Sequence, residues 1–284
     1  MKKVRIGGVP EHFNLPWHLT IENNSYKNLN IDLQWQDYYG GTGAMCKALR
    51  AGDIDIAIIL TEGITKDIIA GNPSKIVQTY VESPLNWGVH VASASTYQTL
   101  EDLKGTKAAI SRYGSGSHLM AYINAQNNNW NLKTDLDFEI IKNLDGAVKG
   151  LTQGDADYFL WEKYTTKPLV DNGTFRRIAN CPSPWPCFVI AVREDFLEQN
   201  TNHLKSILSV INKATTNFKN RPDIDQVISK KYEQKLEDVQ EWLSITQWSQ
   251  TNLSKDTLTH VQEQLYALNI IPEMVNYNTL THSL

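Results

Sequence analysis

Residues 54–60, Ile-Asp-Ile-Ala-Ile-Ile-Leu, form a nearly unbroken apolar run of strand length. Such a run needs cover on both faces, as a central strand of an α/β sheet has and a half-exposed antiparallel strand lacks. Around it, strand-length runs alternate with helix-like segments. Strands are expected at residues 4–9, 31–35 and 75–81, with helices at 17–24, 44–51 and 64–70 between them. The order βαβαβαβ implies a mainly parallel sheet with right-handed crossovers.

A second set follows, with strands at 88–92, 107–111, 138–141, 156–160, 175–178 and 188–192 and helices at 117–127, 145–153 and 163–172. Beyond residue 195 the pattern is helical alone: 201–219, 224–231, 236–243 and 255–268. The fold class this implies is α/β with two lobes, each a mainly parallel sheet flanked by helices. Residues 83–86 and 182–187 are Pro-containing and join strand to strand without a helix. As two crossings they make the first lobe discontinuous, 1–86 plus 187–284, and the second, 87–186, an insertion. The C-terminal helices are then expected to pack back on the first lobe.

Composition removes several function classes. With 27 Lys+Arg against 31 Asp+Glu, the net charge of −4 offers no concentrated basic face for nucleic acid. No run of 18 apolar residues is present, so no membrane span is expected. A chain of 284 residues buries about three quarters of its unfolded surface and needs no metal or disulfide as a staple. Cys46, Cys181 and Cys187 are odd in number and include no C-x-x-C pair, which disfavours a disulfide framework and a zinc site. The start, Met1-Lys2-Lys3 followed by a strand-like run, lacks the apolar stretch of a secretory leader. The expectation is a cytoplasmic monomer; a leader ahead of Met1 would instead make it periplasmic or lipid-anchored, with an ABC permease as partner.

Candidate chemistry lies in the loops after strands, where open α/β sheets bind ligands. The first loop carries Asn14 and Trp17, the second Tyr38, Gly41 and Thr42, and the third Thr61 and Glu62. The richest is the fourth, with Arg112, Tyr113, Ser115, Gly116 and Ser117. A Gly/Ser loop that opens a helix presents N–H donors and a positive dipole end to an anion, and Arg112 adds a planar cation. The plainer alternative is a turn with Ser117 as N-cap. Neither Gly-x-x-x-x-Gly-Lys-[Ser/Thr] nor Gly-x-Gly-x-x-Gly occurs, and no cofactor is expected. His12, His18, His90 and His118 lack metal-ligand spacing, and no Gly-x-Ser-x-Gly nucleophile is present, so neither a metal nor a catalytic residue is assigned. Trp17, Tyr38, Trp87, Tyr113, Trp161 and Trp185 all fall at strand ends or crossings, which suggests rings lining a cleft, with Trp161 and Trp185 as walls.

Three phrases carry a resemblance: Gly41-Thr42-Gly43 ahead of Ala48-Leu49-Arg50-Ala51-Gly52-Asp53, the strand end Leu60-Thr61-Glu62-Gly63, and Leu100-Glu101-Asp102-Leu103-Lys104-Gly105. The chain resembles the type II periplasmic-binding-protein fold over roughly residues 1–270. It is most similar to the nitrate/sulfonate/taurine-binding and thiamine-pyrimidine-synthase-like superfamily. Residues 112–117 and 165–171 are similar to an uncharacterised branch with fungal and bacterial members. The resemblance implies a small-molecule binding protein akin to ABC-transporter substrate-binding proteins, closing two lobes over a small organic ligand, anionic or heterocyclic. The alternative it implies is an enzyme of thiamine-pyrimidine or related cofactor metabolism. Against that alternative, Pro184-Trp185-Pro186-Cys187-Phe188 retains one Cys of the synthases' cluster, and residues 59–63 lack their Lys and His.

Overall fold

The computed structural model describes residues 1–284, and the chain divides into two units, Met1–Ser83 with Trp185–Leu284 and Pro84–Pro184. The first unit opens with β1 (Lys2–Gly8), α1 (Leu15–Glu22), β2 (Ile31–Asp37), α2 (Gly41–Ala51), β3 (Ile56–Leu60), α3 (Thr61–Ile69) and β4 (Ser74–Val81). The second holds β5 (Asn86–Ala92), β6 (Lys107–Ile110), α4 (Gly116–Asn127), β7 (Asp137–Ile140), α5 (Leu144–Gln153), β8 (Tyr158–Glu162), α6 (Lys167–Asp171) and β9 (Phe175–Pro182). The chain then returns to the first unit with β10 (Phe188–Arg193), α7 (Glu194–Thr216), α8 (Ile224–Tyr232), α9 (Leu236–Ile245), α10 (Lys255–Ala267) and α11 (Tyr277–Leu280).

In the first unit the sheet order is β2-β1-β3-β10-β4. β1 runs parallel to β2 and β3, while β10 lies antiparallel between β3 and β4. Ile56, Ala57, Ile58 and Ile59 are completely buried, as a run without polar alternation requires. One face of this sheet packs with Met45, Leu49, Ile64 and Ile68 of α2 and α3, and Leu258 of α10 and Leu280 of α11 join the same core. The C-terminal helices thus cover the first unit. Asp55 fixes the base of β3: it accepts from the Arg5 backbone N–H at 2.9 Å and pairs with the Arg5 guanidinium at 2.8 Å. No helix is long and apolar enough to cross a membrane.

The second unit repeats the plan with order β7-β6-β8-β5-β9. β6 pairs in parallel with β7 and β8, and β5 is antiparallel to both β8 and β9. The helix expected over 163–172 shrinks to Lys167–Asp171. The reason is the buried Glu162 carboxylate, which accepts from the N–H groups of Tyr164 and Thr165 and from the Thr165 hydroxyl. Those bonds hold a turn where the helix would otherwise begin.

Gly88 on β5 is a close-approach position. A Cβ there would stand 2.5 Å from Cε1 of His90 and 2.9 Å from Cδ of Arg177. Gly88→Ala is therefore expected to destabilise the protein by about 1–3 kcal/mol through overpacking, read as a fall in the denaturant midpoint with an unchanged m-value.

Candidate functional site

The parallel strands of the first unit end together, so the loops after β1, β2 and β3 share one edge. After β1 a short 3-10 turn buries Asn14, whose Nδ2 donates to the Val9 carbonyl at 2.9 Å. Its Oδ1 is buried with no hydrogen-bond partner. Glycines at the end of β1 make this packing feasible: a Cβ on Gly8 would stand 2.5 Å from the Trp35 ring and 2.9 Å from Asn14 Nδ2, and one on Gly7 would strike Tyr38. After β2, Gly41 opens α2 at φ 59, a left-handed conformation that favours glycine. Half-buried Thr42 places its methyl against Gly63 of α3, so the second and third loops touch.

Thr61 and Glu62 begin α3 and are both buried. The Thr61 hydroxyl donates to the Pro186 carbonyl at 2.5 Å, and Glu62 Oε2 accepts from the Trp185 indole N–H at 2.9 Å. Burial pushes the Glu62 carboxyl up to about 7, against the pull of its backbone bond and of Trp185. Trp185, only 2% exposed, holds this carboxylate in place. Trp17 is completely buried against Tyr80 and belongs to the core of the first unit, with no surface to offer a ligand. It lies in the helix expected there, among the residues that α1 buries together with Leu15, Pro16 and Thr20, and the direction in which that helix packs is what the sequence did not show.

In the second unit, the loop after β6 is a knot of hydroxyls. Ser117 Oγ accepts from the Ser111 N–H and lies 3.0 Å from both the Ser111 and the Ser115 hydroxyls. Ser115, and not Ser117, is the N-cap of α4: its Oγ accepts from the His118 N–H. The Gly114 N–H donates to His118 Nδ1 at 3.0 Å. The serine hydroxyls thus hold the loop, and helix geometry leaves the N–H groups of Gly116 and Ser117 without intrahelical partners. Arg112 is exposed, and Tyr113, 62% exposed, meets His118 edge to face. Trp161 is half-buried beside Phe159, and Trp87 is buried within β5.

The six aromatic residues therefore separate by burial. Trp17, Trp87 and Trp185 are interior; Tyr38, Trp161 and Tyr113 retain exposed surface. Trp35, at the end of β2 against Gly8, joins the strand-end group and was not singled out from sequence, because it lies inside an expected strand. No three His, Cys, Asp or Glu side chains converge as metal ligands would. Cys187 is completely buried, with its Sγ 4.0 Å from the Val81 carbonyl. In chemical terms, the first unit's edge offers an acceptor and a carboxyl that titrates near neutrality. The second unit's loop offers N–H donors and a cation.

Comparison with known proteins bears on both units. Residues 87–181 match the family model described as Ca3427-like PBP. The CA3427 gene product of Candida albicans, whose structure has the generic periplasmic binding protein fold, is 24% identical over 99% of this chain and 96% of that chain, with a TM-score of 0.90. The alkanesulfonate-binding protein SsuA from Xanthomonas axonopodis pv. citri, bound to MOPS, is 16% identical over 100% and 99% of the two chains, with a TM-score of 0.84. The periplasmic aliphatic sulphonate binding protein SsuA from Escherichia coli is 17% identical over 99% and 92%, with a TM-score of 0.77. No curated protein sequence matches the chain. With two α/β units, one inserted in the other, and these likenesses along nearly its whole length, the chain has the type II periplasmic-binding-protein fold.

Proposed function

We propose that the chain is a small-molecule binding protein whose ligand is a small organic anion of the sulfonate or carboxylate kind, bound without covalent change. The observation that carries this reading is the 111–118 loop. Three serines bonded to one another make the start of α4 rigid. The Gly116 and Ser117 N–H groups, the helix dipole and the Arg112 guanidinium then form a preorganised anion-binding surface. The likeness to SsuA proteins that bind alkanesulfonates supports the sulfonate class. Delivery of the ligand to an ABC permease belongs to the same proposal.

The test is a thermal and denaturant stability screen over short alkanesulfonates, carboxylates and amines. A true ligand at 100 times its Kd is expected to add about 2.7 kcal/mol of stability. Arg112→Ala is expected to weaken an anionic ligand about tenfold, the loss of one charge-assisted bond. Stabilisation by amines alone, or by an anion whose affinity is unchanged in Arg112→Ala, would overturn the reading.

A further inference from the structure

Asn172-Gly173 is the only Asn-Gly pair in the chain. It lies in the second unit, between the end of α6 at Asp171 and the start of β9 at Phe175, and both residues are exposed. An asparagine followed by glycine is open to loss of its side-chain amide. The next backbone nitrogen closes a succinimide ring on Cγ, and glycine has no side chain to obstruct it. At Gly173 the approach is clear: φ is 78, and no atom beyond the neighbouring residues stands within 4 Å of where a Cβ would be.

The Asn172 side chain is already turned back on the main chain. Its Oδ1 accepts from the Thr174 N–H at 3.0 Å and from the Thr174 hydroxyl at 2.8 Å. The first of these bonds closes an Asx turn, a ring that contains both Cγ and the Gly173 nitrogen. The same two donors face the oxygen on which negative charge develops when Cγ is attacked, as the donors of an oxyanion hole do. One bond acts as a brake. The Gly173 N–H donates to the Val170 carbonyl at 3.2 Å and must be released first. It lies just past a helix of five residues, at an exposed end where local opening costs little. Asn131 supplies the contrast. It is exposed too, and its Oδ1 accepts from the N–H two residues on, that of Lys133, at 3.0 Å. Leu132 follows it, and that side chain hinders the nitrogen that would attack.

We propose that Asn172 is a site of spontaneous deamidation in the folded protein, promoted by Thr174. The Gly173 nitrogen gives its proton to water or hydroxide and attacks Cγ. The Cγ–Nδ2 bond breaks, Nδ2 leaves as ammonia, and a succinimide joins residues 172 and 173. Water then opens either carbonyl of that ring, to aspartate or to isoaspartate. The amide and one water become an acid and ammonia, with no oxidant or reductant. Either product adds a negative charge beside Asp171, which is paired with Lys167. The isoaspartyl form also lengthens the main chain just ahead of Phe175, the buried first residue of β9. The site stands apart from ligand binding and bears on the lifetime of the native chain.

The experiment incubates the full chain at pH 8 and 37 °C, folded and in guanidinium chloride. The tryptic peptide Tyr164–Arg176 is followed by mass spectrometry, with isoaspartate quantified separately. Asn172 is expected to convert ahead of every other asparagine in the folded chain. Thr174→Val keeps the backbone N–H and removes the hydroxyl. It is expected to slow conversion about fivefold, the loss of one hydrogen bond to the developing oxyanion. Thr174→Ser is expected to restore the rate, and in guanidinium chloride all three chains should convert alike. An Asn172 that persists in the folded chain would overturn the proposal; if it converts only when unfolded, the Val170 bond holds Gly173 away from Cγ. A folded Thr174→Val that converts at the native rate, or a slowing of the same size in the unfolded chain, would overturn it as well. None of these outcomes touches the alkanesulfonate screen, which reports on Arg112.

Discussion

At pH 5 the buried imidazoles of His12 and His90 are expected to cost the folded protein about 4 kcal/mol together, relative to pH above 7. His12 is 1% exposed, set edge to face 4.2 Å from Trp242 and 5.8 Å from Tyr232. Burial pushes both rings from the ordinary 6.5 down to about 3. The unfolded chain takes up a proton on each ring as pH falls through 6.5, whereas the folded chain refuses it until about 3. The stabilising contribution is therefore whole above 6.5 and is lost as pH falls, by about 2 kcal/mol per ring at pH 5. Denaturant unfolding across pH 5 to 8, with ring NMR in parallel, measures it. Either ring titrating near 6.5 in the folded protein would contradict the expectation for that residue.

Glu62→Gln is expected to raise stability at pH 8 by about 3 kcal/mol, and the sign is opposite to that of the histidines. The folded carboxyl ionises near 7 and the unfolded one near 4.5. The folded state therefore holds the proton more tightly, and Glu62 favours folding below 4.5 and loses that contribution as pH rises through 7. Glutamine keeps an acceptor for the Trp185 indole and has no charge to bury. In the native chain the protonated Glu62 returns about 2.5 kcal/mol between pH 8 and pH 5, which masks more than half of the histidine cost. Glu162, also raised by burial, acts in the same sense. The acid loss should accordingly be steeper in Glu62→Gln than in the native protein. Because Trp185 donates directly to this carboxylate, native tryptophan emission is expected to change with a midpoint near pH 7, and the variant should lose that transition. A pH-independent emission in the native protein would show that Glu62 keeps one protonation state.

Much of the architecture was legible because burial leaves a periodic trace in adjacent residues. The run at 54–60 yields β3 buried on both faces, and the expected helix at 44–51 becomes α2, begun three residues earlier at Gly41. The site was less legible. Ser115 and Ser117 look alike in sequence, yet one caps α4 and the other ties the loop to Ser111. Trp17 and Tyr38 both follow strands, yet one is core and the other half-exposed. Glu62 shows no sign of its burial, because the indole that covers it lies 123 residues further along. His90 is one polar residue in an apolar strand, and only the pairing of β5 with β9 sets it beside Arg177.

The sequence by itself determined the order of strands and helices, the two α/β sets and the helical C-terminal segment, since each rests on local hydrophobic periodicity and turn chemistry. The tertiary structure alone decided that β10 enters antiparallel between β3 and β4, and that β5 does the same between β8 and β9. It also decided which polar groups go dry: Glu62 against Trp185, His90 against Thr166, and Arg177 with one donor unmet. Strand partners and desolvation are properties of residues brought together from distant parts of the chain, and no local pattern encodes them.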